Sequence, residues 1–152
     1  MATLASEVFD LFTSITNDYR FTTIYTSSGS SALNLFLEPW LLFSINDFDS
    51  ICDQDLTYST STQSFAETLT IKNKLVLAQI MVRYWLQKEV QNIQQLQLHL
   101  QDRDFRTHSE NQNLKEKLNL YNAKREEISQ ALVNYKLEDS DMWEQWNLQN
   151  FV

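Results

Sequence analysis

Apolar residues near the start of the chain recur at the spacing of an amphipathic helix. Five of them stand at i, i+4, i+7, i+8 and i+11 and share one face: Leu4, Val8, Leu11, Phe12 and Ile15. This pattern predicts a first helix over residues 3–17. Residues 19–30 are β-branched and aromatic and then serine-rich, so they predict a short strand or an extended crossing that ends in a loop at Gly29.

A second apolar stretch, residues 31–46, contains the only proline of the chain. Pro39 has no N–H to donate, and it disfavours a helical conformation at the residue before it. The stretch therefore predicts two short helices or one helix with a kink at Pro39. The serine- and threonine-rich residues 57–64 predict a loop.

The longest helical patterns lie in the second half of the chain. Thr70 is a suitable N-cap for a helix that begins at Ile71 and runs to about Val90. Much of this helix is apolar on several faces, which is typical of a central element. The glutamine-rich residues 87–101 either continue this helix or start a new one.

A last helix is predicted over about residues 110–137. Residues 102–108 break the preceding pattern, and Ser109 with Gln112 then matches a capping box, in which the two side chains satisfy each other's orphan backbone N–H groups. The apolar seam of this helix alternates steps of four and three, with one position missed at Arg125: Leu114, Leu118, Tyr121, Ile128, Leu132 and Tyr135. We expect it to lie antiparallel against the preceding long helix.

The shortage of glycine and proline strengthens the helical interpretation. One of each among 152 residues is far below the average usage of about 7% and 5%. Glycine-rich phosphate loops, dinucleotide-binding turns and nucleophile elbows need backbone positions that glycine fills, so these enzyme classes are excluded. We predict an all-α domain of four to five helices over residues 1–137, built on the long antiparallel hairpin. Residues 138–152 would form an extended or short helical tail.

The net charge of −8 is distributed unevenly along the chain. Residues 1–71 hold nine acidic side chains and one basic, residues 72–136 hold eleven basic and seven acidic, and residues 137–152 hold four acidic and none basic. An acidic chain is unsuited to wrapping nucleic acid, because phosphate neutralisation needs clustered lysine and arginine. Two interpretations stay open: a solvated surface, or a subunit whose acidic part meets the basic part of a neighbour.

Candidate chemical groups are few. Four acids cluster after the apolar stretch: Asp47, Asp49, Asp53 and Asp55. A calcium loop that began at Asp47 would need glycine where Cys52 stands and glutamate where Tyr58 stands, so we interpret these acids as helix caps and solvated groups. Two histidines and two aspartates lack metal-ligand spacing: His99, Asp102, Asp104 and His108. We predict no enzymatic activity, no metal and no cofactor.

The tail combines acidic residues with large aromatic ones. Trp143, Trp146 and Phe151 are costly to leave in water, and buried aromatic side chains dominate the energetics of interfaces. The tail therefore either folds back on its own domain or anchors in a partner. On the second interpretation, these three aromatic residues are the candidate partner-binding site.

Four stretches of the chain together form a pattern: FLEPWLLF (36–43), DFDSI (47–51), LTIKNKLVLAQIMVRYWL (69–86) and DRDFRTHSENQNL (102–114). In these stretches the chain resembles the head–tail connector (adaptor or neck) proteins of tailed bacteriophages. The resemblance covers about residues 33–137 and lies mostly in core and cap positions. Two departures stand out: Lys88 lies where the family often has a proline, and the tail has no counterpart in the pattern.

The resemblance implies a structural virion protein, made in the host cytoplasm and assembled at the head–tail junction. It implies a homo-oligomeric ring of twelve copies beneath the portal protein, which extends the DNA channel and offers a platform to the next tail or neck component. DNA would pass through the lumen without specific binding, and no membrane would be involved. C-terminal segments of such adaptors commonly reach into the portal or a neighbour, which would suit the aromatic tail. The alternative is a soluble helical interaction or regulatory protein that acts on a host factor.

Overall fold

The computed structural model of the chain describes residues 2–16, 18–100 and 107–138. Most of these residues belong to four helices: α1 (Ala5–Ile15), α2 (Tyr19–Phe48), α3 (Ile71–Leu100) and α4 (Thr107–Glu138). A two-stranded antiparallel hairpin, β1 (Tyr58–Ser59) and β2 (Ser64–Phe65), lies between α2 and α3. The predicted all-α fold class is confirmed.

Helix α3 is the central element, because each of the other three helices packs against it. The largest fully buried apolar side chains of the helices are Phe12 of α1, Leu37, Leu41 and Phe48 of α2, and Leu77, Ile80 and Met81 of α3. Leu56 and Phe65, between α2 and α3, are buried with them. Helix α4 adds Ile128 and Tyr135. The apolar character of α3 on several faces is explained by this position, since partners cover it from more than one side.

Helices α3 and α4 form the predicted antiparallel hairpin. At one end, the Tyr135 hydroxyl lies 2.7 Å from Asn73 Oδ1, and towards the other end Lys117 Nζ lies 3.7 Å from Glu89 Oε2. The seam of α4 is buried mainly in its C-terminal half. Tyr135 is 4% exposed there, whereas Leu118, nearly five turns earlier, is 37% exposed.

Residues 19–28 are helical, so the strand or extended crossing predicted for residues 19–30 is wrong, but the helix is interrupted at Gly29, where the segment was predicted to end. Asp18 caps this helix by accepting a backbone N–H of the first turn at 2.9 Å. The hydroxyls of Thr23 and Thr26 donate to backbone carbonyls one turn back, at 3.0 and 2.9 Å. Phe21 is buried between aromatic rings of α1 and α3. Capping and tertiary packing therefore outweigh the β-propensity of the segment.

The break in α2 lies at Gly29, and the helix runs through Pro39, so the predicted division into two short helices at Pro39 is wrong. Gly29 has φ 80° and ψ 177°, a conformation that residues with a side chain rarely adopt. Pro39 lies inside the helix, where it removes one backbone hydrogen bond. Leu37 and Leu41, two residues to either side, are fully buried and hold this segment in the core.

The predicted loop over residues 57–64 contains part of a small β-hairpin. Tyr58 pairs with Phe65 across its two strands. Gln63 supplies the positive φ (49°) that turns more often obtain from glycine or asparagine. The hairpin is held from outside as well, because the Phe65 N–H donates to the carbonyl of Thr3 at 2.8 Å. No sequence pattern within residues 57–64 predicts this contact with the N-terminal residues.

The starts of the two long helices differ in how well the sequence predicts them. Thr70 is confirmed as the N-cap of α3, with its hydroxyl oxygen 3.2 Å from the Asn73 backbone nitrogen, and α3 continues through the glutamine-rich segment to Leu100. Helix α4 begins at Thr107, two residues before Ser109, so the capping box predicted there is wrong. Serine is tolerated within the first turn of a helix, so this short motif does not fix the starting residue. Most of the predicted break lies outside the described residues.

Candidate interaction surface

The second half of α2 is apolar on nearly all sides, but only one side is covered. Leu37 and Leu41 are fully buried, whereas Leu35 is 66% and Leu42 42% exposed on the opposite face. A helix with apolar residues all round is normally enclosed, and clustered apolar side chains on a surface mark interaction sites. The sequence signal is the nearly unbroken apolar run over residues 33–45.

A groove of about 490 Å³ separates α2 from α3 along one flank of this surface. We call it the α2–α3 groove. It is lined by three aromatic residues, Trp40 and Phe43 of α2 and Tyr84 of α3, and by five polar residues of α3: Gln87, Lys88, Gln91, Asn92 and Gln95. The rings of Phe43 and Tyr84 have centroids 5.3 Å apart, and Phe43 is half exposed. Aromatic rings that are held in place and still reach solvent are suited to contacts with a partner.

Hydrogen bonds and charge fix the walls of the α2–α3 groove. The Tyr84 hydroxyl donates to Asp47 Oδ2 at 2.7 Å, and Arg83 binds the same carboxylate. Burial, and then the Asp47 hydrogen bond, raise the pKa of Tyr84, so its hydroxyl stays protonated. Lys88 Nζ lies 5.0 Å from the centroid of the Trp40 ring, within range of a cation–π interaction. The groove therefore has aromatic walls with one positive charge beside them.

A separate polar network joins α3, α4 and the segment after α2. Asn73 is 1% exposed, and its Nδ2 donates to Asp53 Oδ1 and to Gln54 Oε1, both at 2.8 Å. The single hydroxyl proton of Tyr135 faces two acceptors, Asn73 Oδ1 and the Asp53 carboxylate, and its oxygen accepts the Asp53 backbone N–H at 3.3 Å. The buried amide of Asn73 on α3 thus finds partners on two other segments of the chain, as buried polar groups require.

The pKa shifts within this network indicate a structural role for its members rather than a catalytic one. The Tyr135 hydrogen bond, followed by that of Asn73, lowers the pKa of Asp53. Burial, followed by the Asp53 hydrogen bond, raises the pKa of Tyr135, and burial raises that of the Cys52 thiol. A nucleophilic cysteine needs a lowered pKa, so Cys52 has the character of a structural residue.

The acids clustered in the sequence separate in the structure. Asp47 binds Arg83 and Tyr84 at the groove, Asp49 follows the last residue of α2, and Asp53 belongs to the polar network. Asp55 accepts hydrogen bonds from the backbone and hydroxyl of Thr57 at 2.8 and 2.6 Å. Among the described residues, no three side chains of histidine, cysteine, aspartate or glutamate are grouped to hold a metal ion. The side chains of His99, Asp102, Asp104 and His108 lie outside the described residues.

Replacing Asp53 with asparagine is expected to make the free energy of unfolding depend less on pH in the acidic range. The pKa of Asp53 in the folded state lies below its ordinary value of 3.8. The ionised carboxylate therefore adds fully to the free energy of unfolding above about pH 4, and this stabilisation is lost as the pH falls through the folded-state pKa. Urea unfolding at a series of pH values between 2 and 7 measures this. Asp49→Asn is the matched control, since Asp49 is exposed as Asp53 is but lies outside the polar network. Equal curves for wild type and Asp53→Asn would contradict the expectation.

The three aromatic residues singled out in the tail, Trp143, Trp146 and Phe151, lie outside the described residues. Comparison of the chain with family models, curated proteins and solved structures found no match. The resemblance to head–tail connectors therefore stays a prediction drawn from the residues. Within the described ranges, no helix has both the length and the apolar character to cross a membrane.

Proposed function

We propose that this protein is a head–tail connector subunit of a tailed bacteriophage, a non-enzymatic structural protein of the virion. Its copies form a ring beneath the portal protein, extend the DNA channel and join the capsid to the next neck or tail component. The aromatic residues Trp143, Trp146 and Phe151 are proposed as partner-binding anchors. We propose a ring of twelve subunits because the family resemblance implies that number.

The residues that carry the resemblance occupy positions that support a rigid subunit. On α3, several residues of the stretch 69–86 are buried in the core, namely Leu77, Ala78, Met81, Val82 and Leu86, and Trp85 packs against the core partly buried. Just before α3, Leu69 is buried and Thr70 caps the helix. Such residues preserve a shape and perform no chemistry, as expected of a building block whose function depends on its surfaces.

The observation that carries the proposal is that apolar side chains are exposed on two different helices. Leu35 and Leu42 are exposed on one face of α2, and Val133 and Leu137, one turn apart, are exposed on α4. Helix α2 packs against α1 and α3, whereas the extensive contact of α4 is with α3. A subunit with two dissimilar apolar patches can join its neighbour head to tail, and contacts of this kind close into rings when the rotation allows.

The charge of the chain supports a channel that does not hold nucleic acid. The net charge of −8 leaves little basic surface to neutralise phosphates. A ring of acidic subunits repels the DNA backbone and allows DNA to pass, because like charges lining a passage reduce adhesion.

Two measurements test the proposal. Mass spectrometry of purified intact phage particles is expected to detect the chain in a fixed ratio to the portal protein. Light scattering is expected to show either a defined ring or ring formation when purified portal is added. Absence from particles, together with a tight complex with a host protein in pull-downs, would instead support a helical interaction protein that acts on a host factor.

The tail is tested by a separate deletion. Removing residues 138–152 is expected to reduce assembly with the portal at least tenfold while the monomer keeps its thermal unfolding temperature. The triple variant with alanine at Trp143, Trp146 and Phe151 is expected to show the same loss. A large fall in monomer stability in either variant would contradict the anchor role, because it would mean that the tail packs on its own domain.

A further inference from the structure

Four residues on one side of α2 recur at the spacing of a coiled-coil seam. They stand in steps of four, three and four, and we call them the acidic seam because a carboxylate lies at each end: Glu38, Leu42, Ile45 and Asp49. Leu42 and Asp49 are exposed, and Glu38 and Ile45 are half-buried. A seam of this spacing is suited to pack against a second helix, and no described part of the chain encloses it.

A seam of the same spacing and the opposite charge lies on α4. We call it the basic seam, and its members stand in steps of four, three and four: Arg125, Ser129, Leu132 and Lys136. Leu132 is half-buried, and the other three are exposed. Val133, next to Leu132, is 52% exposed. Arg125, which interrupts the apolar seam that α4 presents to α3, is thus one end of a second seam.

The charged ends of the two seams match in position. In each seam eleven residues separate the two charges, which is about 16.5 Å along a helix. In an antiparallel pair, Asp49 therefore faces Arg125 while Glu38 faces Lys136. Within the described part of the chain, none of these four side chains forms an ion pair. One oxygen of Glu38 accepts the Tyr58 hydroxyl at 2.9 Å, which leaves the other for a cation.

The apolar residues favour the antiparallel orientation. It places Leu42 level with Leu132 and beside Val133, so an apolar contact lies between the two charged ends. A parallel pair would also match the charges, but it would place Leu42 level with Ser129. The antiparallel pair thus covers the exposed Leu42 and Val133 together, and covering apolar surface stabilises the contact.

We propose that the acidic seam of one copy packs antiparallel on the basic seam of a second copy. The proposal rests on the proposed function in that it names the surfaces through which neighbouring subunits meet. Each copy has both seams and can bind two neighbours head to tail, as a ring requires. A symmetric contact between two acidic seams is disfavoured, because residues 21–71 hold six acidic side chains and no basic one, and like charges repel.

Charge reversal in the full-length protein tests the ion pairs. Asp49→Arg is expected to weaken self-association at least fivefold in sedimentation experiments at low salt, with an unchanged far-UV circular dichroism spectrum. Adding Arg125→Asp is expected to restore self-association to within twofold of wild type. Glu116→Arg makes the same change of charge at an exposed position outside both seams and is expected to have no effect beyond twofold.

Three results of this experiment would overturn the proposal. The first is self-association of Asp49→Arg at the wild-type level. The second is an equal loss in Glu116→Arg, because it would show that only the net charge matters. The third is recovery of Asp49→Arg by Lys136→Asp and not by Arg125→Asp, because that pairing requires parallel helices.

Disulfide trapping tests the apolar contact at a series of protein concentrations. Two full-length variants are made in a Cys52→Ser background, one with Leu42→Cys and one with Val133→Cys. Mixing them under mild oxidation is expected to yield the cross-linked heterodimer, whereas neither variant alone forms a homodimer. Leu120→Cys, at a residue of α4 that is 49% exposed outside the seam, replaces Val133→Cys as the control and is expected to cross-link at least tenfold less.

A chain that carries both Leu42→Cys and Val133→Cys is expected to form a ladder of covalent multimers, since each copy joins two neighbours. An internal disulfide alone would overturn the proposal, and so would a Leu42→Cys homodimer or the absence of any cross-link.

The seam contact and the connector function fail in different ways. If the chain is present in purified particles in a fixed ratio to portal and the mixed variants do not cross-link, the seam contact is wrong and the connector function stands. If the heterodimer forms but the chain is absent from particles, the seam contact stands and the connector function is wrong.

Discussion

Replacing Phe48 with alanine is expected to lower the free energy of unfolding by about 3–5 kcal/mol, the range for deleting a large buried aromatic side chain. Phe48 is the last residue of α2 and is fully buried. Its ring lies 5.0 Å from that of Tyr135 at an interplanar angle of 75°, so it is a direct contact between α2 and α4. Its loss removes apolar contact area and leaves a cavity where three helices meet. Urea unfolding monitored by circular dichroism measures the loss.

Phe43→Ala provides the matched control for this prediction. Phe43 lies five residues earlier on the same helix and is 50% exposed, so its removal opens no closed cavity. We expect the unfolding free energy to stay within about 1 kcal/mol of wild type. Equal destabilisation by the two substitutions would contradict the packing of α2 described above.

Tyr135→Phe is expected to cost about 2 kcal/mol, because it leaves a buried acceptor without a donor. The ring stays in place beside Phe48, but Asn73 Oδ1, in a residue that is 1% exposed, loses its hydrogen bond from the hydroxyl. The Asp53 carboxylate loses the same donor, although it has solvent as a substitute. Chemical unfolding at pH 7 measures the cost.

Tyr121→Phe removes the same atom from a half-buried tyrosine of the same helix and is expected to change stability by less than about 0.5 kcal/mol. A further test combines Tyr135→Phe with Asp53→Asn. The double variant is expected to be less destabilised than the two single variants added together, because both disrupt one network. Strict additivity would argue against the shared hydrogen bonds.

Periodicity alone predicted much of the architecture. The spacing of apolar residues identified α1, α3 and most of α4, because each of these helices has a face that another helix must cover. The cap at Thr70 followed from a local rule that the structure confirms. The prediction for residues 19–30 was wrong, because the local preference of this segment for extended structure is overridden by a distant contact. That contact is the burial of Phe21 beside α1 and α3.

The interaction surface was beyond the reach of sequence reasoning for a related reason. Phe43 and Tyr84 are 41 residues apart, and Asp53 and Tyr135 are 82 apart, so no local pattern brings either pair together. The apolar run that contains Phe43 is visible in the sequence, but a run of that kind does not indicate which of its faces stays uncovered. Only the placement of α2 on α3 leaves Leu35 exposed and buries Leu37.

The backbone hydrogen bonds that join the two ends of the first 70 residues have a consequence for biosynthesis. The backbone of Thr3 is bonded to Phe65 and Glu67, and α1 packs on α3. While the ribosome adds the roughly 65 residues between Phe12 and Leu77, about 3–13 s at 5–20 residues per second, the apolar face of α1 lacks α3 and has only the residues of α2 to cover it. Nascent chains at this stage are thus substrates for chaperones and proteases, and translation speed through α2 sets how long they are exposed.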